Sequence, residues 1–425
     1  MKFDFVSGEM KETFNIPDNN LVSFFEPRKT IRPSENAKEI IKSALENPIG
    51  AKRLEDIIFP YSRIAIVTDD ATRSTPIREI MDVLLPKLKH LGVKVKNITI
   101  TVGNGLHKEP SDEEKASILG KEIINKMSVG SNNARDESCF TYCGTTSSGT
   151  PLFINRRVIE ADLIITLGMI KTHSFAGFTG GAKSILPGVS SKETILKNHK
   201  FEFIEYPKGI LGDADMSYAR KDMEEAAGRL PVFMLNVVLN KEKRVLGAFA
   251  GDVVKAHRKG VEFFQSFAQV TVKELADVVV VEGGFPASEN LYFALSGISG
   301  VLSTKRPIVK KGGTVIVMSH CREGIGEKII EDLFLKYKSA ERVIQHLKSN
   351  PPVEAQWAAQ HLASYLSMVD VSLVTCGVPD YKLKALKIKS CKSVSQAIKD
   401  AFNRYGANMK VIVVKNADSL IANVE

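Results

Sequence analysis

A lysine set among glycines, with a histidine on either side, is the part of this chain best equipped for chemistry. The segment runs TLGMIKTHSFAGFTGGAKSILPGVSSKETILKNHK, and its reactive side chains are His173, Lys183 and His199. An imidazole can move a proton near neutral pH or ligate nickel, zinc or copper. A lysine among glycines lets a ligand come close, and a desolvated amine can act as a nucleophile. GFTGGAKS, residues 177–184, misses the phosphate-loop pattern G-x-x-x-x-G-K-S by one residue, because Ala182 replaces the last glycine. The strand run before it, Leu163–Leu167, ends ten residues too early for a tight phosphate loop. No strand ends in a clear magnesium-binding aspartate to partner it, which argues against ATP hydrolysis. Ser190-Ser191-Lys192-Glu193 has the pattern of a capping box that starts a helix and carries His199 two turns on. Taken alone, His199 also reads as an ordinary residue near a helix C-terminus. It has no second ligand at i+4, and H-E-x-x-H is absent, so a metal held here needs further donors, which a cofactor could bring.

Three other segments carry polar groups at strand ends. VTDDATRSTPIREI places Asp69, Asp70, Ala71, Thr72, Arg73 and Ser74 after a strand. Thr75 then suits an N-cap and Pro76 a first helical residue. Backbone N–H groups, hydroxyls and a guanidinium would converge at a helix N-terminus, a natural phosphate seat. The same residues also read as a plain cap with Arg73 paired to an aspartate. ITVGNGLHKEP presents His107 after Gly103 and Gly105, but Lys108 stands where a dinucleotide fingerprint needs its third glycine. SHCREGIG, residues 319–326, is either a second anion nest or a simple turn between strand and helix. EAQWAAQ holds the only tryptophan, Trp357, as a core residue or a cleft wall.

The elements that must position these groups follow from hydrophobic pattern. Strand-like runs at Ile64–Val67, Ile98–Val102, Leu163–Leu167, Val278–Val281, Thr314–Met318, Ser372–Thr375 and Val411–Val414 are nearly continuous apolar stretches. Such runs suit strands buried on both faces of a parallel sheet. Helical patterns alternate with them at Ala37–Glu46, Ile77–Leu91, Met216–Leu230, Val253–Phe267, Glu327–Leu347, Glu354–Leu366 and Val394–Asn403. The alternation predicts an α/β fold with ligand loops at the carboxyl ends of the strands. The chain has 425 residues, which favours two domains. A division falls near 268–274, giving 1–270 as an N-terminal cofactor-binding domain and 271–425 as a C-terminal α/β domain closing over the site. The first thirty residues, with Phe3, Phe5, Phe14, Ile16, Leu21, Phe24 and Phe25, read as a small antiparallel cap on the first domain.

Composition narrows the function classes. A net charge of +9 over this length is a mild excess, and no run of five like charges appears, so nucleic acid is not the expected partner. Five scattered cysteines complete no zinc site and suit free thiols in a reducing cytoplasm. The N-terminus MKFDFVSGEM has no signal-peptide core, and no apolar run approaches a membrane span of about 20 residues.

Taken in order, DDATR, GLH, KTH, GGAKSILPGV, the NH pair 198–199, GGFP, NLY and QW resemble the lactate racemase family that uses a nickel-pincer nucleotide. The resemblance spans nearly the whole chain. It implies two α/β domains, largely parallel sheets flanked by helices, with the active site in the interdomain cleft. It implies a pyridinium mononucleotide whose two thiocarboxylate arms grip nickel, joined covalently to Lys183, with His199 as the protein's ligand to the metal. The nucleotide phosphate would lie on the loop from Asp70 through Ala71, Thr72, Arg73 and Ser74. His107 and His173 would be the acid/base pair that serves hydride removal and return at C2 of a 2-hydroxy acid. Phe175, Tyr292, Phe293, Ser296 and Trp357 would line the substrate pocket. Phe293 and Ser296 depart from the glutamine and lysine that the family places there, which loses a cationic carboxylate contact and puts lactate itself in question. Lys305 and Arg322 are candidate substitutes. The implied partners are a small 2-hydroxy acid and the enzymes that make the cofactor, without which the protein would be apo. The rival expectations are a homologue acting on another hydroxy or sugar acid, and a non-catalytic nucleotide- or phosphate-binding module.

Overall fold

The strands Ile64–Thr68, Ile98–Val102 and Leu163–Met169 bury nearly every residue, as strands covered on both faces must. They form the centre of the first of two six-stranded sheets in a computed structural model that describes residues 1–26, 36–205, 210–284, 286–417 and 420–425. The order in this sheet is Val245–Gly251, Val232–Leu239, Leu163–Met169, Ile64–Thr68, Ile98–Val102, Ser128–Ser131. Every pairing is parallel except the antiparallel edge made by Val245–Gly251. The second sheet is wholly parallel, in the order Lys389–Cys391, Asp370–Val374, Val309–Met318, Ala276–Glu282, Val411–Val414, Leu21–Phe25. The α/β expectation therefore holds, with helices against both sheets.

Two expectations are corrected. The N-terminal hairpin, Lys2–Ser7 with Met10–Asn15, is antiparallel as expected, but it packs on the second sheet. Phe3, Phe5, Phe14 and Ile16 share a core with Val278, Val280, Ile316 and Met318, and Leu21–Phe25 extends that sheet beside Val411–Val414. The apolar side chains go where the second sheet offers a β face and an edge beside Val411–Val414. The helix expected over Glu327–Leu347 is two helices, Lys328–Tyr337 and Ala340–Ser349. Lys338 turns left-handed at φ 61°, and Ser339 then caps the second helix through the Arg342 N–H.

The topology positions the site. Because Ile64–Thr68, Ile98–Val102 and Leu163–Met169 run parallel, the loops that follow them, 69–76, 103–107 and 170–184, leave the sheet at one edge. From the other side, the helices Leu291–Leu302 and Gln356–Leu366 face these loops across a cleft. The strand Gln269–Val272, between the two sheets in sequence, pairs with the C-terminal strand Ile421–Val424. Among the described residues no helix is long and apolar enough to cross a membrane. All five cysteines are free.

Candidate active site

The loop after Ile64–Thr68 holds two adjacent carboxylates in different states. Asp69 accepts from the Thr75 hydroxyl at 2.6 Å, and burial pushes its pKa up to about 6. Thr75 is thus not the N-cap expected: the helix starts at Ile77 after Pro76, and no side chain caps it. Asp70 accepts from the Thr72 N–H at 3.0 Å and meets His107 Nδ1 at 2.6 Å. Burial raises the Asp70 pKa, but the His107 hydrogen bond and charge outweigh it and hold the carboxyl at about 2. Asp70 is therefore committed to His107 and Thr72, and an acceptor so placed does not suit contact with a phosphate. Ala71 and Ser74 line a neighbouring groove of about 900 Å³ together with Arg73, Arg78 and Lys243, at the N-terminus of the Ile77–His90 helix. Thr72 turns back onto Asp70 instead.

The glycine-rich segment is held from behind by three residues that the sequence did not single out. Arg220 is fully buried. It donates from Nε to the Ala176 carbonyl at 2.8 Å, and its other nitrogens reach the carbonyls of Phe178 and Gly180. His257 Nε2 lies 2.8 Å from the Thr179 carbonyl, and Asn236 Oδ1 accepts from the Gly181 N–H at 2.7 Å. Gly180 has a φ of 73°, and a Cβ there would fall 2.4 Å from Asn236 Oδ1, so both the backbone and the close approach require glycine. Lys183 rises from the short 3-10 turn Gly181–Ser184. Burial first, then Arg220 and Arg73, press its pKa well below the ordinary lysine value. The same burial that disfavours the charge favours the free amine, the form that acts as a nucleophile.

The two flanking histidines differ in their partners. His173 Nδ1 accepts from the Ala176 N–H at 3.3 Å. His199 follows the helix Lys192–Asn198 as its C-cap, and its ring packs edge-on to Phe175 at 4.9 Å and Trp357 at 5.0 Å. That helix is capped by Ser191 through the Thr194 N–H, not by the box expected from Ser190 and Glu193; Ser190 donates to the Ile185 carbonyl instead. His199 is 4% exposed and its Nδ1 has no hydrogen-bond partner. Burial, then Lys183, lowers the pKa of both imidazoles, so both are neutral at physiological pH.

These side chains line one cleft with two lobes, each of about 790 Å³. The inner lobe collects Asp69, Asp70, Lys183 and His199. The outer lobe collects Phe293, Ser296 and His361, the last unflagged by the sequence. Arg73, His107, His173, Phe175, Tyr292 and Trp357 border both. Trp357 donates to the Tyr292 hydroxyl at 3.2 Å, joining the two helices of the far wall. Neither Lys305 nor Arg322 lines either lobe, and Arg322 pairs with Glu289. The 319–326 loop is no anion nest: its Arg322, Glu323 and Gly324 N–H groups are spent on the Ser288, Glu289 and Cys321 carbonyls, while its Gly324 and Ile325 carbonyls accept from the Leu291 and Tyr292 N–H groups and so fix the start of that wall. Phe285 of the GGFP piece lies outside the described residues. Among the described residues no three or more His, Cys, Asp and Glu side chains are placed to share a metal.

Comparison with known proteins agrees along the whole chain. Residues 7–211 match the family model described as lactate racemase N-terminal domain, and residues 271–422 match that of the lactate racemase C-terminal domain. The chain is 32% identical over 419 residues to a lactate racemase of Thermoanaerobacterium thermosaccharolyticum, covering 97% of each. It is 31% identical over 388 residues to one of Lactiplantibacillus plantarum, covering 90% of each. The solved lactate racemase apoprotein from the former organism superimposes with a TM-score of 0.90 at 30% identity, covering both chains fully. A Thermotoga maritima protein shares the fold, with a TM-score of 0.71 at 18% identity, over 93% of this chain and all of that one.

Proposed function

The chain belongs to the lactate racemase family, and on that premise we propose that it is an isomerase inverting C2 of a 2-hydroxy acid, the class to which the substrate named for its relatives belongs. The observation that carries this reading is the opposite wiring of the two cleft histidines. His107 Nδ1 faces the Asp70 carboxylate, so Nδ1 holds the proton and Nε2 is the free acceptor. His173 Nδ1 accepts a backbone N–H, so its proton sits on Nε2. One ring is thereby ready to take a proton and the other to give one. Inversion of a hydroxyl-bearing carbon uses that pair in turn, each being base for one enantiomer and acid for the other.

The residues also suit a lysine-tethered nickel-pincer nucleotide. His199 offers a single buried, unpartnered imidazole nitrogen, which matches a group that brings its remaining metal donors with it. Lys183 offers a buried amine whose charge is disfavoured. The groove bordered by Arg73, Ser74 and Arg78 offers a phosphate seat. When bound, that cofactor supplies the acceptor and donor for the C2 hydrogen as hydride. The chain itself does the rest. His107 and His173 move the hydroxyl proton, and Arg73, bordering both lobes, holds the carboxylate. Tyr292 and Trp357 cover the cleft against water.

The test is production together with cofactor-biosynthesis enzymes, followed by nickel analysis, mass measurement of the Lys183 peptide and a chiral assay over several 2-hydroxy acids. Bound nickel, a modified Lys183 and racemisation are expected, with turnover abolished in Lys183→Ala. An unmodified lysine and no nickel, despite a working pathway, would sink this reading.

A further inference from the structure

The outer lobe has two unlike walls. Its fixed positive charge lies on the side of the first sheet, at Arg73 and Lys171 beside His107 and His173. The opposite wall comes from the segment around Pro286 and from the helices Leu291–Leu302 and Gln356–Leu366. Among the described residues, everything that wall contributes is uncharged or a histidine. Pro286, Phe293 and Leu295 are apolar. Ser296 donates its hydroxyl proton to the Phe293 carbonyl at 2.6 Å, and Ser299 is bonded to the Tyr365 hydroxyl. His361 Nε2 lies 3.1 Å from the Ser174 hydroxyl, and its ring stacks on Tyr365 at 5.9 Å and 7°. Burial brings this imidazole down to about 4, so it is neutral at physiological pH.

We propose that this wall is a side-chain subsite for an apolar group larger than methyl, with Phe293 and Ser296 as its specificity-determining residues. The inference rests on the racemase reading for the reaction, though its binding arm does not. A 2-hydroxy acid whose C1 carboxylate lies on the cationic wall projects its side chain toward the neutral one. A second carboxylate there would be desolvated without a partner. A methyl group would forgo most of the apolar burial that Phe293 and Leu295 offer. The preferred substrate class is therefore a monocarboxylic 2-hydroxy acid with an aryl or branched-alkyl side chain.

The experiment compares 3-phenyllactate, lactate and malate in two ways. With the cofactor-loaded enzyme, kcat/KM for 3-phenyllactate should exceed that for lactate by about tenfold or more, with malate last. With the apoprotein, calorimetry should give the same order of affinity, and Phe293→Ala should weaken 3-phenyllactate by roughly tenfold while changing lactate little. Ser296→Lys, which adds a cation to the neutral wall, should raise malate relative to 3-phenyllactate. Lactate or malate ahead of 3-phenyllactate in turnover overturns the subsite, and turnover decides where the two orders differ. Racemisation of none of the three by protein with nickel bound and Lys183 modified overturns the racemase reading instead. In that case 3-phenyllactate first in apoprotein affinity upholds the subsite, and any other order overturns it.

Discussion

Asp69 and Asp70 are neighbours in one loop, yet they answer pH in opposite ways. Asp70 is depressed to about 2, so what it adds to stability is present above the unfolded carboxylate value and is lost as pH falls through about 2. Asp69 is raised to about 6, so the fold favours its protonated form, and that advantage is lost as pH rises through about 6. Near pH 8 its buried charge costs the apoprotein on the order of 3 kcal/mol. Asp69→Asn keeps an acceptor for Thr75 and removes the charge. Urea midpoints should therefore show the variant gaining stability over the parent at pH 8 and little at pH 4; an equal gain at both would refute the assignment. Asp70→Asn acts on catalysis. An amide no longer enforces the His107 tautomer, so kcat should fall by roughly 10²–10⁴-fold with the cofactor still attached. A loss of only a few-fold would show that Asp70 does not set that proton.

The glycine-rich segment keeps its shape through a helix it meets far away in sequence. Arg220, on the helix Tyr218–Gly228, serves three carbonyls of the 176–180 stretch, and its buried charge has Glu224 at 3.8 Å. Arg220→Met would strip those carbonyls of their donor, at a cost of about 3–5 kcal/mol by urea unfolding. Arg220→Lys should fall between, since an ammonium cannot span three divergent acceptors. Parity of Arg220→Met with the parent protein would mean that the loop holds itself. This clamp marks the limit of what the sequence discloses. The strands were legible because burial on both faces leaves near-continuous apolar runs, as at Val278–Val281. His107, His173, Lys183 and His199 were legible because each sits beside a strand end or turn with its own local pattern. Arg220, Asn236, His257 and His361 were not, because each acts through a contact more than 40 residues distant that leaves no periodic trace. Local capping chemistry misled for a different reason. Thr75 and Ser190 have good cap residue types, but acceptors earlier in their own loops, at Asp69 and Ile185, take their hydroxyls first.

At the scale of the whole molecule, the cleft needs both sheets, and specific contacts hold them across it. Phe201 follows the His199 turn in the first half of the chain, yet its ring packs in the core of the second sheet's helices. Its carbonyl accepts from Gln360 Nε2 at 3.0 Å. Nearer the mouth, Glu354 precedes the Gln356–Leu366 helix and meets Arg135 and, at 3.5 Å, Lys192. Arg135 also donates to the Leu106 carbonyl at 3.2 Å, one residue before His107. The carboxylate thus ties the Trp357 wall to the turn that presents His107. Exposed ion pairs contribute only about 0.2–1 kcal/mol each, too little to decide whether the chain folds. The same amount is enough to shift a balance between closed and open clefts several-fold. Glu354→Gln should therefore leave the unfolding midpoint nearly unchanged while raising KM by roughly 3–10-fold. Added salt should raise KM in the parent protein and much less in the variant, because screening removes the same pairs. Small-angle scattering of the two apoproteins at low salt should give the larger radius to the variant. An unchanged KM and an unchanged radius would place closure in the apolar contacts around Phe201 and Trp357 alone.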